Sequence, residues 1–260
     1  MQSKRFISFS GGVESTTMCV LYGEGATAIW VDTGAEHEVM YQRIDYVEKR
    51  LKALHKGNFN LVRLVGAKNV LGVPYNNLED AVIAKKFMPS GTARYCTIDF
   101  KVKPIDEYLR QQGECELMIG FNSDEEGRTG NLEMEANVKY TYPLIEAGLS
   151  RMECEAILEE HDLHPKFPVY MLRGGCRMCF FKSRKEYRAM FHLNLREFEE
   201  VMDFEKRIQD RRKKFYSIMG NGESLEQLYD KCKSELFQGD ASLYDDYKKQ
   251  SIGCGAFCHR

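Results

Sequence analysis

The feature that most constrains the fold is a repeated alternation: short apolar runs, each leading through a glycine-rich or acidic loop into an amphipathic stretch. Lys4 to Ser8 reads as a strand and Ser15 to Tyr22 as a helix. ATAIWVDTG, Ala26 to Gly34, reads as a second strand, and Val39 to Leu54 as a helix with Tyr46, Val47, Leu51 and Leu54 at helical spacing. FNLVRLVG, Phe59 to Gly66, is a third strand. Helices near Leu78 to Phe87 and Pro104 to Gln111 precede a fourth strand, CELMIGF, Cys115 to Phe121. Strands spaced by helices of this length predict an α/β fold, a doubly wound and mostly parallel sheet covered on both faces. Such sheets bind ligands beyond the carboxyl ends of their strands. SGGVES, DTGAEH and NSDEEGR all fall at those ends.

The first of these loops, within SFSGGVESTT (Ser8 to Thr17), carries the most chemistry. A glycine pair permits positive φ and close backbone approach, and the helix start behind it presents N–H groups without intrahelical partners. An anion fits there, with Ser8, Ser10, Ser15 and Thr16 adding hydroxyl donors. The plainer alternative is a helix cap, with Ser10 and Glu14 satisfying the first turn.

The 260 residues suffice for a nucleotide-binding α/β domain over 1–149 and a helical, cysteine-containing subdomain over 150–260. In the second part, Ser150 to His161 reads as a helix. The stretch beyond Ser183 is helical to about Tyr216, with Tyr187, Met190, Phe191, Leu195, Phe198, Met202 and Ile208 on one face, and GNGES, Gly220 to Ser224, is a turn. A net charge of −2 gives no global attraction to nucleic acid, so contact of that kind would need a local patch such as Arg207 to Lys214. The other reading of that patch is a solvated helix end favoured by the dipole. No long apolar run or signal-peptide pattern opens the chain, which predicts a cytoplasmic protein without a membrane partner.

Nine cysteines in such a chain point to metal, redox chemistry or burial rather than a disulfide framework. Cys19, Cys115, Cys154 and Cys232 stand alone and read as buried small residues. GGCRMCFF brings Cys176 and Cys179 to the spacing at which two thiolates reach one metal. Cys96, Cys254 and Cys258 are the remaining candidate ligands. A [4Fe–4S] cluster, zinc and metal-free thiols all remain open on spacing alone.

SFSGGVEST resembles the SGGxDS pyrophosphate-binding loop of the adenine-nucleotide alpha-hydrolase (PP-loop ATP pyrophosphatase) superfamily. VDTGAEHEVMY (Val31 to Tyr41), YCTIDFKVKPID (Tyr95 to Asp106) and YPLIEAGLSRMECEAILEEH (Tyr142 to His161) make the chain most similar to the phosphoadenylyl-sulfate reductase family. The resemblance implies ATP or a sulfonucleotide as ligand. It places the nucleotide's anionic end on Ser8, Ser10, Gly11, Gly12, Val13, Glu14, Ser15 and Thr16, near Asp32, Thr33 and Gly120. Arg94, Lys101, Lys103 and Arg128 would balance phosphate charge, and Mg²⁺ would lie near Asp32. It implies catalytic roles for Glu14, Asp32 and, through a loose likeness of Gly253-Cys254-Gly255 to the family's mobile C-terminal ECGLH motif, Cys254. It also implies a [4Fe–4S] cluster on Cys96, Cys176 and Cys179 with a tail cysteine, zinc being the alternative. Two departures stand out: the family's Asp is Glu14 here, and its cysteine pair is reduced to Cys96-Thr97.

These readings predict an enzyme of sulfur chemistry, either sulfonucleotide reduction or ATP-dependent thiolation, with a sulfur donor or acceptor still to be identified. The alternative is a nucleotide-binding protein with a structural metal and no turnover. The sequence leaves the oligomeric state open, a homodimer included.

Overall fold

The computed structural model describes residues 4–66, 75, 77–128 and 136–237. Five parallel strands form one sheet in the order β3-β2-β1-β4-β5: β1 (Lys4–Ser8), β2 (Thr27–Asp32), β3 (Asn60–Val65), β4 (Cys115–Ile119) and β5 (Val138–Thr141). The chain winds outward from β1 to β3, then returns to place β4 on the other side of β1. The direction therefore reverses at β1, and the switch point lies between the carboxyl ends of β1 and β4, where sheets of this kind bind ligands. The fold matches the α/β, doubly wound expectation, with β5 as a strand the sequence reading missed.

Strand periodicity explains why both faces are covered. Ile7, Ala28, Trp30 and Met118 point to one face, where they pack with residues of α1 (Val13–Tyr22), α2 (Glu38–Leu54) and α7 (Arg151–Glu160). Phe6, Ile29 and Leu117 point to the other, against Leu109 of α5 (Lys103–Arg110). Pairing of Phe6 with Leu117 and Ile7 with Met118 keeps the two sets in register. On α2 the inward stripe is Met40, Arg43, Ile44, Val47 and Leu51, whereas Tyr46 and Leu54 are exposed, so the helix is rotated from the expected face. An arginine in an otherwise apolar stripe is the anomaly that matters below.

Between β3 and β4 lie α3 (Leu78–Lys85), the short turn α4 (Tyr95–Thr97), a π-helical turn Ile98–Val102 and α5. After β4 comes a 3-10 segment, Ser123–Arg128, and after β5 the short α6 (Pro143–Glu146). Ser150 and Glu153 form a capping box that starts α7. Helices α8 (Arg184–Leu193), α9 (Leu195–Arg212) and α10 (Leu225–Phe237) share a second core with α3, Met40 and Phe100. Leu195, expected on the inward face, is exposed, while Tyr187, Met190, Phe198 and Ile208 are fully buried. Cys19, Cys115, Cys154 and Cys232 are all buried, as their isolated positions suggested. Among the described residues, no helix is long and apolar enough to cross a membrane.

Candidate nucleotide and thiol site

Strand β1 ends in a loop held by its own side chains. Ser15 Oγ accepts from Ser10 N at 3.1 Å and lies 3.0 Å from Ser10 Oγ, while Thr16 Oγ1 donates to the Gly12 carbonyl at 2.6 Å. Gly11 has φ +76°, and an added Cβ would fall 2.9 Å from Ile44 Cδ1, so the position demands glycine twice over. The first bond of α1 runs from Thr16 N to Gly12 O at 3.1 Å, which leaves the N–H groups of Val13, Glu14 and Ser15 without intrahelical acceptors. Gly120, at the end of β4, faces this helix start: a Cβ there would stand 3.0 Å from Ser15 N and crowd the amide. Ser10 is exposed at the mouth of the loop, whereas Thr16 is wholly buried and its hydroxyl serves the loop backbone. Ser8 occupies the last position of β1, half-buried.

Arg43 supports the loop from below. It is buried, and its Nε donates to the Gly11 carbonyl at 2.6 Å. Its Nη2 donates to Leu163 O at 2.9 Å and lies 3.4 Å from Thr16 Oγ1, and the guanidinium sits over the Phe167 ring. Burial holds its pKa down to about 10, still protonated at neutral pH.

Glu14 does not project freely. Its Oε1 accepts from Arg151 Nη1 at 2.5 Å and from Asn122 Nδ2 at 3.1 Å, tying α1 to α7 and to the loop after β4. Asp32 Oδ1 accepts from Gly34 N at 2.7 Å and Tyr41 Oη at 2.9 Å; burial, followed by this bond, raises the pKa of Tyr41. Thr33 is buried and donates to Glu36 Oε1 at 3.0 Å.

The cysteine turn is docked directly on this second loop. Glu36 and Cys176 form an antiparallel bridge, Arg177 N donates to Ala35 O at 2.9 Å, and Cys176 Sγ lies 3.4 Å from Thr33 Oγ1. Cys179 N donates to Cys176 O at 3.2 Å, closing a turn in which the two cysteines are near enough for their charges to interact. Cys96 is near enough to Cys179 for their charges to interact, and Lys101 acts on both Cys96 and Cys176. Burial pushes Cys96 and Cys176 upward, with Glu36 adding to the effect at Cys176, so both rest as thiols. Phe181 is flanked by cations, with Arg173 at 5.1 Å and Arg94 at 5.7 Å from its ring centre. Lys103 is exposed and pairs with Asp99 at 2.6 Å; Arg128 closes the 3-10 segment. Cys254 and Cys258 lie outside the described residues.

Among the described residues, no three His, Cys, Asp or Glu side chains gather around one point at metal-binding distance. Cys96, Cys176 and Cys179 share a neighbourhood and the right donor chemistry for a thiolate-held group, with Lys101 beside them to offset its charge.

Behind the thiols is a buried polar layer that the sequence reading missed. His37 Nδ1 donates to Glu197 Oε2 at 2.7 Å, Glu38 N donates to Glu197 Oε1 at 3.0 Å, and Asn194 Nδ2 adds a bond to Oε2 at 3.0 Å. His37 Nε2 is buried without a partner among the described residues. Burial lowers the pKa of His37 against the opposing pull of Glu197, while its bond to His37 leads the favourable contacts that bring Glu197 below its usual value despite burial. Both shifts are downward, so the unfolded chain takes up protons first as pH falls. Folding stability is therefore expected to hold above pH 7 and to decline as pH falls through about 6.5 and on towards 4, by at most about 1.4 kcal/mol per pH unit for each proton. His37→Asn, which keeps a donor for Glu197, should flatten the upper part of that decline in a series of thermal melts. An unchanged slope between pH 7 and 5 would show that His37 is not its source.

The phosphoadenosine phosphosulfate reductase domain matches residues 4–146, more than half of the chain and the whole sheet with its loops. No curated protein is similar enough to this chain to count as a relative. An all-parallel sheet with its glycine loop at the switch point agrees with that match, and the chain belongs to the phosphoadenosine phosphosulfate reductase domain family.

Proposed function

We propose that this protein binds an adenine sulfonucleotide beyond the carboxyl ends of β1 and β4 and carries out sulfur chemistry on it, using the thiols gathered at the second loop. The observation that carries this reading is the docking of the Cys176–Cys179 turn on the loop after β2, with Gly174 just before the turn and Gly11 of the first loop both set close to Met40 Cε. The N–H groups of Val13, Glu14 and Ser15 would receive the anionic end of the nucleotide. The cations Arg94 and Lys101 would offset the charge that builds on the departing phosphate. In reduction, a thiolate attacks the sulfur and the S–O bond breaks, the nucleotide leaving with the electron pair. A second thiol then displaces sulfite, forming a disulfide as the two-electron oxidation product. Cys254 is proposed as the attacking thiol, in which case Cys258 is the tail cysteine left for the metal.

Cys96, Cys176 and Cys179, joined by Cys254 or Cys258, would hold a [4Fe–4S] cluster, with zinc as the alternative. When bound, such a group supplies redox-active, sulfur-binding metal beside the nucleotide. Protein purified without oxygen is expected to carry iron and sulfide in matching amounts, and Cys176→Ser to lose most of both. Zinc in the wild type would replace the cluster by the alternative metal, and metal content unaffected by the substitution would contradict this ligand set.

Glu14 favours a second reading, nucleotide binding without turnover, because its carboxylate is already engaged by Arg151 and Asn122. Anaerobic incubation with ATP, and separately with adenylyl-sulfate and its 3'-phospho form plus a thiol donor, separates the readings. Sulfite supports reduction. AMP and pyrophosphate from ATP without sulfite would replace reduction by adenylation ahead of thiolation. Binding with neither product, when candidate acceptors are supplied, would favour the second reading.

A further inference from the structure

The basic segment at the end of α9 is redrawn by the fold. Arg207, its first residue, is already paired, with Asp203 at 3.0 Å and Glu79 at 3.7 Å. Further along, Arg212 Nη1 donates to the carbonyl of Lys86 at 3.2 Å, which brings the carboxyl end of α9 against that of α3. Both helices end on a left-handed lysine, Lys86 at φ 53° and Lys213 at φ 54°. Lys86, Arg211, Lys213 and Lys214 are therefore exposed together, and none of them is paired with a carboxylate among the described residues. Attraction to the helix dipoles accounts for cations in the last turn of α9. It does not account for Lys214, which lies past the helix end.

Two aromatic rings accompany these charges. Phe87 is 45% exposed and Phe215 is 55% exposed, each immediately following its lysine. Folding gains nothing by leaving a phenylalanine in water beside a cluster of cations, whereas base stacking next to phosphate contacts uses both groups. The patch also leads somewhere. Lys85 Nζ lies 4.8 Å over the Tyr95 ring, the Tyr95 hydroxyl donates to the Phe87 carbonyl and the Phe87 and Tyr95 ring centres are 6.1 Å apart, so Phe87 adjoins the turn that carries Cys96.

We infer that the joined ends of α3 and α9 form a binding surface for single-stranded nucleic acid, in which Lys86, Arg211, Lys213 and Lys214 contact phosphates while Phe87 and Phe215 stack on bases. The inference does not depend on the reaction proposed above. The chain's net charge of −2 makes binding local and sensitive to salt.

The test is fluorescence anisotropy with labelled single-stranded RNA and DNA oligonucleotides of mixed sequence, a duplex of the same sequence, and heparin as competitor, over a range of salt. Single-stranded binding should weaken with salt with a log–log slope of about −3 for four neutralised phosphates. The triple variant K86Q/K213Q/K214Q should reduce that slope by about 2 units. F87A/F215A should weaken binding by about 30-fold or more at unchanged slope, with melting curves verifying that each variant is folded. Preference for RNA or for DNA supports the inference and names its source. It is overturned if no strand binds at low salt, or if the triple variant keeps the wild-type slope. It is also overturned if duplex and heparin bind as well as single strands with no effect of the phenylalanine changes, which would reveal a bare polyanion patch.

Discussion

Glu197→Ala is expected to destabilise the folded chain by about 3–5 kcal/mol, enough to lower the melting temperature by roughly 10 °C in a chain of this size. Glu197 is 2% exposed, and its two oxygens together accept from His37, Asn194 and the backbone N–H of Glu38. One side chain thus joins the start of α2 to the start of α9, across the boundary between the two cores. Alanine would leave the buried imidazole of His37 and the part-buried amide of Glu38 without their acceptor, and the cost of such orphaned groups exceeds the net value of the bonds themselves. Glu197→Gln keeps the shape and one acceptor oxygen and should recover more than half of the loss. Denaturant unfolding at pH 7 measures both. A loss below about 1 kcal/mol for alanine would mean that water or a rearranged neighbour replaces the carboxylate.

Arg43→Met should lower affinity for a sulfonucleotide by roughly 100-fold, although Arg43 is expected to touch no ligand. The effect runs through the Gly11 peptide. With φ at +76°, that residue has the conformational freedom to flip, which would exchange a carbonyl for an N–H in the loop. Arg43 Nε, donating to the Gly11 oxygen at 2.6 Å, fixes one of the two orientations. Methionine fills much of the same volume and takes the bond away. Arg43→Lys retains a charged donor and should fall between the two. Calorimetric titration on variants shown to be folded reads the effect, and affinity within threefold of wild type would remove Arg43 from the account.

The parts of the site that are local in sequence were legible in it. Strand β1, the glycine turn and α1 follow one another within twenty residues, and period-2 apolar spacing giving way to helical spacing marks them without reference to the rest. Arg43 left a readable trace as a cation between Met40 and Val47, on what proved to be the buried face. That trace was obscured because Tyr46 and Leu54 suggested a different face. Strand β5 escaped because VKYT is short and has one buried residue among four, so no alternation stands out. Helix α10 could have been found from Leu225, Leu228 and Cys232, which share its buried side.

What sequence spacing could not show is long-range. Cys176 and Glu36 are 140 residues apart, Glu14 and Arg151 are 137 apart, and His37 and Glu197 are 160 apart. No local pattern predicts that the cysteine turn docks on the loop after β2 rather than on solvent. The same holds for Glu14. In sequence it reads only as a departure from the family's aspartate, whereas in the fold the longer side chain meets Arg151 and Asn122.

The most direct test of the central claim is equilibrium binding of 3'-phosphoadenylyl-sulfate and adenylyl-sulfate to the anaerobically purified protein and to Gly11→Val, with circular dichroism as a check on folding. The account predicts one site per chain for at least one of the two ligands, and loss of that site in a Gly11→Val protein that is otherwise folded, because Cβ can occupy neither the backbone angle nor the space beside Ile44. Undiminished binding by the folded variant would place the nucleotide elsewhere, and absence of binding by the wild type would contradict the sulfonucleotide site itself.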